Sequence, residues 1–170
     1  MAESRSKLLT FLDVSGGSGT EDWALIGPGV TEMSISFSAQ TTTSQYIHEE
    51  SANTTTTGYQ PTAPVTAEMI KDDRVLQFVN NLRRKRATGS DAETYIVNVD
   101  VYEGTSTSHP AEKQKVSVQL DSYGGAASDP LGLGFTLNFM GNPTQGTFNM
   151  TSKTFSAGAS TVSDLGDLGV

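Results

Sequence analysis

The chain has 170 residues, with 11 Lys and Arg against 19 Asp and Glu, a formal charge of -8 and no cysteine. The absence of cysteine excludes disulfides and thiolate metal sites. The negative charge disfavours sequence-independent binding to nucleic acid, because attraction to phosphates requires cationic side chains. No segment approaches the roughly 20 apolar residues of a membrane helix, and residues 1–14 lack a signal-peptide pattern. We therefore expect a soluble protein, made in a cytoplasm, whose residues 1–170 form a single domain.

The first part of the chain predicts three strands. Apolar runs at residues 8–12 and 23–26 indicate short edge strands. Residues 31–40 alternate apolar and polar side chains, the period of a strand that is buried on one face. The apolar positions of this strand are Met33, Ile35, Phe37 and Ala39.

Residues 41–60 differ from the preceding strands, since they are rich in Thr and hold few apolar side chains. The segment is long for an internal loop and too polar to build a core. Thr, Tyr and Ile nevertheless favour extended backbone. We therefore predict an arm, residues 41–60, that orders as a hairpin once a partner supplies the missing contacts.

One segment has the period of an amphipathic helix. Its apolar positions, spaced i, i+3, i+4 and i+7, are Val75, Phe78, Val79 and Leu82, and the positions turned away are Asn80, Asn81, Arg84 and Lys85. Asp72 is the predicted N-cap, Asp73 lies in the first turn, and Gly89 is the predicted stop. We predict that this helix lies across a sheet, with Phe78 buried and Arg84 exposed.

The rest of the chain again has the two-residue period of strands, at residues 94–103 and 114–120 and within residues 129–155. In the last of these, one face carries Leu131, Leu133, Phe135, Leu137 and Phe139, and the other carries Gly132, Gly134, Thr136 and Asn138. Residues 141–143, Gly-Asn-Pro, indicate a turn between two strands. Residues 157–170 are rich in Gly and Ser and predict a flexible tail.

Groups for catalysis or metal binding are scarce. His48 lacks the i, i+4 partner of a helical zinc site, and His109 precedes a proline in what we predict to be an exposed turn. The glycine clusters at residues 16–19 and 27–29 lack the Lys-Ser/Thr pair of a phosphate-binding loop. We expect no catalytic residue, no cofactor, no metal site and no enzymatic activity.

The one basic cluster is Arg83-Arg84-Lys85-Arg86. Four charges on one helical turn, without interleaved aromatic residues, favour a solvated helix end over a nucleic-acid patch. Cations at this position also suit the helix dipole.

In their order and spacing, these features resemble the major tail tube protein of long-tailed, siphovirus-like bacteriophages. The resemblance rests on residues 23–26, the strand that ends at Gln40, the arm that closes with TGYQP, the helix that ends LRRKRATGSDAET, and the stretch GFTLNFMGNPTQGTF. It covers most of the chain, and the order of the parts carries it, since none is an invariant motif.

The resemblance implies a mainly β fold, a sandwich or barrel with one flanking α-helix, that assembles as hexameric rings stacked into a hollow tube. DNA would pass through the lumen during genome ejection without specific binding. The implied partners are other copies of the chain, a tape measure protein, a tail terminator and a distal tail protein, with no membrane. The protein would be assembled in the host cytoplasm and reside in the virion tail.

The resemblance also implies two sets of functional residues. The helix would lie away from the lumen, with the core face Val75, Phe78, Val79 and Leu82. The arm would reach the neighbouring ring through Thr41, Thr42, Thr43, Gln45, Tyr46, His48, Glu49, Glu50, Asn53 and Tyr59.

Two alternatives remain open at this point. The inner tube of a contractile tail or injection system shares the implied fold. A secreted β-sandwich that binds carbohydrate fits the number of strands, but such modules usually display exposed aromatic side chains, and Trp23 is the one tryptophan.

Overall fold

A computed structural model describes residues 1–158. Its strands are β1 Leu8–Asp13, β2 Trp23–Leu25, β3 Val30–Met33, β4 Gln40–Ser44, β5 Asn53–Gly58, β6 Thr62–Glu68, β7 Glu93–Asp100, β8 Ser108–Gly124, β9 Gly132–Asn149 and β10 Thr154–Ala157. The helix, α1, spans Arg74–Lys85, and two 3₁₀ turns span Arg5–Lys7 and Gly89–Ala92. The predicted tail begins at the last residue of β10, and residues 159–170 lie outside the described residues.

The core forms on one face of an antiparallel sheet with the strand order β2-β1-β7-β8-β9-β6-β3 and with β10 paired to β9. On this face Phe135 and Leu137 of β9 lie opposite Val65 and Ala63 of β6. These side chains are at most 2% exposed, as the alternation in the sequence predicted. Burying one such large apolar side chain contributes about 1.5–3 kcal/mol. A slip of one residue would expose the whole set, so the apolar pattern determines the register.

Strand β1 lies inside the sheet, between β2 and β7, so the prediction of an edge strand at residues 8–12 is wrong. Leu12 pairs with Ile96 on the core face, and both are fully buried. Phe11 points to the opposite face and is also buried. Two consecutive buried side chains are typical of a strand that is covered on both faces.

Helix α1 begins one residue later than the sequence predicted. Its N-cap is Asp73, not Asp72, because the Asp73 carboxylate accepts hydrogen bonds from the backbone amides of Val75 and Leu76 at 2.9 and 3.2 Å. These bonds satisfy two of the amides that the first turn leaves free.

The helix ends before the predicted stop at Gly89. Arg86 adopts a left-handed conformation with φ of 52°, and its amide bonds to the carbonyls of Leu82 and Arg83. The chain therefore caps the helix with a non-glycine residue, and Gly89 begins the next 3₁₀ turn.

A second apolar cluster lies on the opposite face of the sheet and consists of Phe11, Trp23, Val97, Val99, Ala111 and Phe148. In it, Phe11 of β1 stacks on Phe148 of β9 with ring centroids 4.7 Å apart. Strands β7 and β8 separate these two strands, and three strand spacings in a flat sheet would span about 14 Å. The sheet must therefore curl strongly, and it forms a half-barrel.

The predicted strand, turn and strand near the C-terminus form one continuous strand, β9, with a bulge. Met140 lies opposite Lys115 and Thr144 lies opposite Lys113, so residues 141–143 face only Gln114. Pro143 has no N–H for the ladder and is tolerated in such a bulge. The chain does not reverse at residues 141–143, because β8 continues to pair with β9 on both sides of the bulge.

The predicted strand at residues 31–40 is shorter in the structure, where β3 ends at Met33. Ser36 makes an isolated bridge to Thr62, and Ser38 has a left-handed φ of 44°. Phe37 is 60% exposed rather than part of the core. The alternation continues in the sequence, but the chain leaves the sheet here to enter β4.

Residues 16–19 lie in the loop between β1 and β2, and a buried carboxylate organises this loop. Asp13 is 1% exposed and accepts hydrogen bonds from the amide of Ser15 at 3.0 Å, its hydroxyl at 2.6 Å and the amide of Asp22 at 3.1 Å. Gly16 and Gly17 have positive φ, which suits glycine in a tight turn.

Candidate assembly surfaces

The arm projects as a separate hairpin. Within the described chain, β4 and β5 pair only with each other, and every residue of the two strands is exposed except Gly58. Cross-strand threonines supply the side-chain contacts, as where the Thr43 and Thr54 hydroxyl oxygens lie 2.9 Å apart. An isolated two-stranded hairpin is marginally stable in water. Both faces of the arm are therefore available to a partner.

Glu49 organises the tip of the arm. Its carboxylate accepts hydrogen bonds from the amide of Tyr46 and the side chain of Asn53, both at 3.3 Å, and its carbonyl accepts one from Gln45 at 3.0 Å. The tip presents Ile47, whose side chain is fully exposed, beside Tyr46, which is 62% exposed. These two adjacent side chains form a small exposed apolar patch at the end of a polar hairpin.

The ten residues predicted to contact a neighbouring ring fall on four parts of this hairpin. Thr41, Thr42 and Thr43 lie in β4, Gln45, Tyr46, His48, Glu49 and Glu50 at the tip, Asn53 at the start of β5, and Tyr59 just after it. The structure stacks the rings of Tyr46 and His48 with centroids 6.1 Å apart, but it places Tyr59 at the opposite end of the arm. The predicted set omits Ile47, an exposed apolar residue at the tip, although an isoleucine in a polar segment is visible in the sequence.

The base of the arm forms one wall of a groove. The rings of Phe37 and Tyr59 meet edge to face with centroids 6.5 Å apart, and the amide of Gln60 bonds to the Phe37 carbonyl at 3.0 Å. The facing wall is the bulge of β9 at residues 141–143, and the space between holds about 650 Å³. We call this space the arm-base groove. Phe37 belongs to this surface, whereas the sequence placed it in the core.

Carboxylates line the arm-base groove and a second pocket that shares Phe37, Asn98 and Glu112 with it. We call this second pocket the continuation of the groove. Glu112 lines both parts, and Asp100 lies in the continuation with Arg5. Burial raises the pKa of Asp100 above its ordinary value, and the negative charges of Glu112 and Glu103 raise it further. The Arg5 guanidinium donates to the carbonyl of Met33 at 3.1 Å and so ties the wall to the N-terminal turn.

The helix presents its apolar residues to the sheet. Of the predicted core face, Val75, Val79 and Leu82 are buried and Phe78 is half-buried. Leu76, which was not predicted, is fully buried. Asn80 was expected to point away, but it is 8% exposed and accepts a hydrogen bond from Arg83 at 2.8 Å.

The four cations at the basic end of α1, residues 83–86, differ in whether they contact another group of the chain. The Arg83 guanidinium lies 4.0 Å from the ring centroid of Tyr123, and the Arg86 guanidinium donates to the Arg83 carbonyl at 2.6 Å. Arg84 and Lys85 are exposed, and neither forms an ion pair with any residue of 1–158. Within residues 1–158, the helix end therefore has two cations without an ion-pair partner.

The small polar face of β9 is half-buried at Gly132, Gly134, Thr136 and Asn138. The Thr136 hydroxyl donates to Asp121 at 2.6 Å, and the Asn138 amide donates to Gln119 at 3.3 Å. This face therefore carries small polar residues, and the neighbouring Asp121 adds a carboxylate to it.

His109 is buried, which corrects the prediction of an exposed turn. It is 6% exposed, lies in β8 opposite Phe148, and its Nδ1 is 2.6 Å from the carbonyl oxygen of Glu103. Within residues 1–158, no three His, Cys, Asp or Glu side chains gather as a metal site. In the same range, no helix has the length and apolar character needed to cross a membrane.

Trp23 is not available for stacking on a sugar. It is 3% exposed, and the Lys113 ammonium lies 5.7 Å from its ring centroid. The burial of Trp23 removes this one ring as a stacking surface for a sugar.

No family model matches the chain, and no curated protein matches its sequence. Solved structures share its fold. A chain from the tail of an empty gene transfer agent particle, refined helically with C6 symmetry, is 14% identical and aligns with a TM-score of 0.62 over 92% of this chain and 100% of that one. A chain from the virion of the native gene transfer agent particle is also 14% identical, with a TM-score of 0.58 over the same shares.

These comparisons confirm the predicted fold, which is mainly β with one flanking helix and occurs in the tail of a phage-like particle. They are consistent with the resemblance to phage tail tube proteins.

Proposed function

We propose that this chain is a structural protein of a phage-like tail and that it polymerises as stacked hexameric rings. The rings would form the hollow tube through which DNA passes to the host during genome ejection. The observation that carries the proposal is a fold shared, over 92% of the chain, with the tail of a particle of C6 symmetry.

The open half-barrel supports ring formation. The strand order ends at β2 on one side and β3 on the other, strands of 3 and 4 residues. An open edge exposes unpaired backbone groups, and pairing between neighbouring subunits would satisfy them and continue the barrel. A rotation that closes after a fixed number of copies gives a ring.

The arm supports stacking of the rings. It carries no buried side chain of its own, and its tip exposes Tyr46 and Ile47. We propose that the arm contacts the neighbouring ring through the residues named from the sequence, together with Ile47. Burial of the tip in that contact would stabilise the hairpin.

The charge of the chain supports a lumen that does not bind DNA. Each subunit carries -8, and a ring concentrates this charge around a narrow bore. The small polar face of β9 would line the bore, and the basic end of α1 would lie away from it. Tape measure, tail terminator and distal tail proteins are further proposed partners. Assembly would take place in the host cytoplasm.

Electron microscopy of the purified protein tests the proposal. Sixfold rings or tubes should form as the concentration rises, and sedimentation should follow the same transition. Ile47→Asp should keep the circular dichroism of the subunit and abolish stacking. The matched control Leu131→Asp, at a side chain 45% exposed on the body, should still stack.

A protein that remains a monodisperse monomer at high concentration, with no rings or filaments, would contradict the proposal. The lumen is tested separately by adding DNA to tubes at low salt. Tight, salt-sensitive binding would show that the channel attracts DNA rather than repelling it.

A further inference from the structure

The basic end of α1 is a concentrated positive patch on an acidic subunit. Residues 83–86 hold four of the chain's 11 Lys and Arg. Arg84 and Lys85 are exposed and form no ion pair within residues 1–158. Identical subunits of net charge -8 repel one another, so a contact that brings this patch to an acidic surface would offset part of the repulsion.

The arm-base groove has the chemistry that binds a guanidinium. Phe37 and Tyr59 expose 60% and 62% of their surface, and their rings stand edge to face. Glu112 is exposed and lines the groove, and Asp100 lies in its continuation. Arginine stacks on aromatic faces and pairs with carboxylates, so a groove that offers both favours arginine over other side chains.

A subunit cannot fill its own groove. The basic end of α1 is anchored at Tyr123, where Arg83 stacks, and the groove contains Glu112 of the same strand, β8. Positions 112 and 123 are eleven residues apart along β8, a path of at most about 35 Å at roughly 3.3 Å per residue. The two surfaces therefore lie towards opposite ends of β8, and a contact between them joins two copies.

We propose that the arm-base groove of one subunit binds the basic end of α1 of a second copy. Arg84 of the second copy would pair with Glu112 and Asp100 and pack against Phe37 and Tyr59, with Lys85 at the rim. This inference rests on the proposed self-assembly and names one of its contacts. The two surfaces differ, so the contact is head to tail, the type that closes into rings or repeats along a tube.

In the unassembled subunit, the charges around the groove favour binding of a cation. Asp100, Glu112 and Glu103 lie close enough that their charges, with burial, raise the pKa of Asp100. An incoming guanidinium would relieve this repulsion. Arg5, the cation already beside Asp100, is held on the carbonyl of Met33.

A charge-swap series tests the contact. Arg84→Glu and Glu112→Arg should each lower the association constant at least about tenfold, the effect of losing one close charge pair. The combined variant Arg84→Glu/Glu112→Arg restores the pair in opposite order and should recover most of the assembly. The controls Lys71→Glu and Glu68→Arg make the same charge changes at exposed residues outside both surfaces and should assemble as the wild type does.

Cross-linking provides a second measurement that does not depend on charge reversal. Because the chain has no cysteine, only introduced cysteines react. Lys85→Cys protein mixed with Glu112→Cys protein should form a mixed dimer with a short bismaleimide. Lys71→Cys mixed with Glu112→Cys should not.

The outcomes separate this inference from the proposed function. If the wild type forms rings or tubes while the single charge reversals assemble equally well, the groove is not the contact and the proposed function stands. A combined variant as defective as the single ones, with no mixed cross-link, also overturns the inference. If the wild type never assembles, both fail.

Discussion

The sheet beneath α1 and the arm use the same antiparallel hydrogen-bond ladder, but they bury very different amounts of surface. Phe135 and Leu137 of β9 are fully buried, and Leu76 of the helix belongs to the same buried cluster. In the arm, β4 and β5 are exposed on both faces, with only Gly58 half-buried. The two regions therefore differ in side-chain burial and not in backbone pairing.

This difference locates the sources of stability. A backbone hydrogen bond contributes about 0.5–1.5 kcal/mol net, because water competes for both partners. Burial of a large apolar side chain contributes about 1.5–3 kcal/mol more, and only the sheet under α1 obtains it. The fold of the subunit is thus stabilised by the core, and the order of the arm depends on what it contacts.

Amide exchange should give the largest contrast between the two regions. In the unassembled subunit, amides of β9 should exchange at least about a thousandfold more slowly than those of β4 and β5, since core strands open only with global unfolding. On assembly, exchange in the arm should slow and exchange in β9 should change little. Equal protection of arm and β9 in the monomer would remove the distinction.

Phe135→Ala should destabilise the subunit by about 3–5 kcal/mol, the usual loss for a fully buried phenylalanine. The matched change in the arm, Tyr46→Ala, should alter the free energy of unfolding by less than about 0.5 kcal/mol, because the side chain is exposed. Urea unfolding of both variants measures the difference. Comparable losses would mean that the arm contributes to the core.

Asp73→Ala should lower the free energy of unfolding by about 1 kcal/mol, because the first turn of α1 loses its cap. Asp72→Ala, one residue earlier, should change it by less than about 0.5 kcal/mol. Thermal unfolding of the pair distinguishes the two cap assignments. A larger effect at Asp72 would restore the assignment made from the sequence.

Asp100→Asn should have the smallest effect, and its sign depends on pH. Burial and neighbouring carboxylates raise the pKa of Asp100 above its ordinary value of 3.8, so its charged form destabilises the folded subunit. Below pH 3.8, Asp100 is protonated in both the folded and the unfolded chain, so its charge costs no folding free energy. The free energy of unfolding then falls as the pH rises through the raised pKa. Asp100→Asn should therefore be more thermostable than the wild type at neutral pH and equal to it below pH 3.8.

The exposed Asp129→Asn makes the same chemical change outside the groove and is the control for this comparison. If Asp100→Asn is less stable than the wild type at neutral pH, the repulsion in the groove is absent. If its assembly is also weakened while its subunit is stabilised, the groove carboxylate acts between subunits.

The sequence alone predicted the features that depend on neighbouring residues. The two-residue period of residues 131–139 predicted the burial of Leu133, Phe135 and Leu137, but Leu131, on the same predicted face, precedes β9 and is 45% exposed. The i, i+3, i+4 spacing predicted a helix that follows Asp72, and the structure has it at residues 74–85. The polar composition of residues 41–60 predicted a segment outside the core. Periodicity and composition are local properties, so they can be recognised without knowing the partner strands.

The tertiary structure determined which of these local patterns became a strand, a turn or part of the core. Gly141 to Pro143 looked like a turn, but it is a bulge because β8 pairs on both sides of it. Phe37 continued an apolar alternation, yet it is exposed because the chain leaves the sheet at Met33. His109 is buried because Phe148 lies opposite it, a residue 39 positions away. Pairing and burial depend on residues distant in the sequence, and no local pattern specifies them.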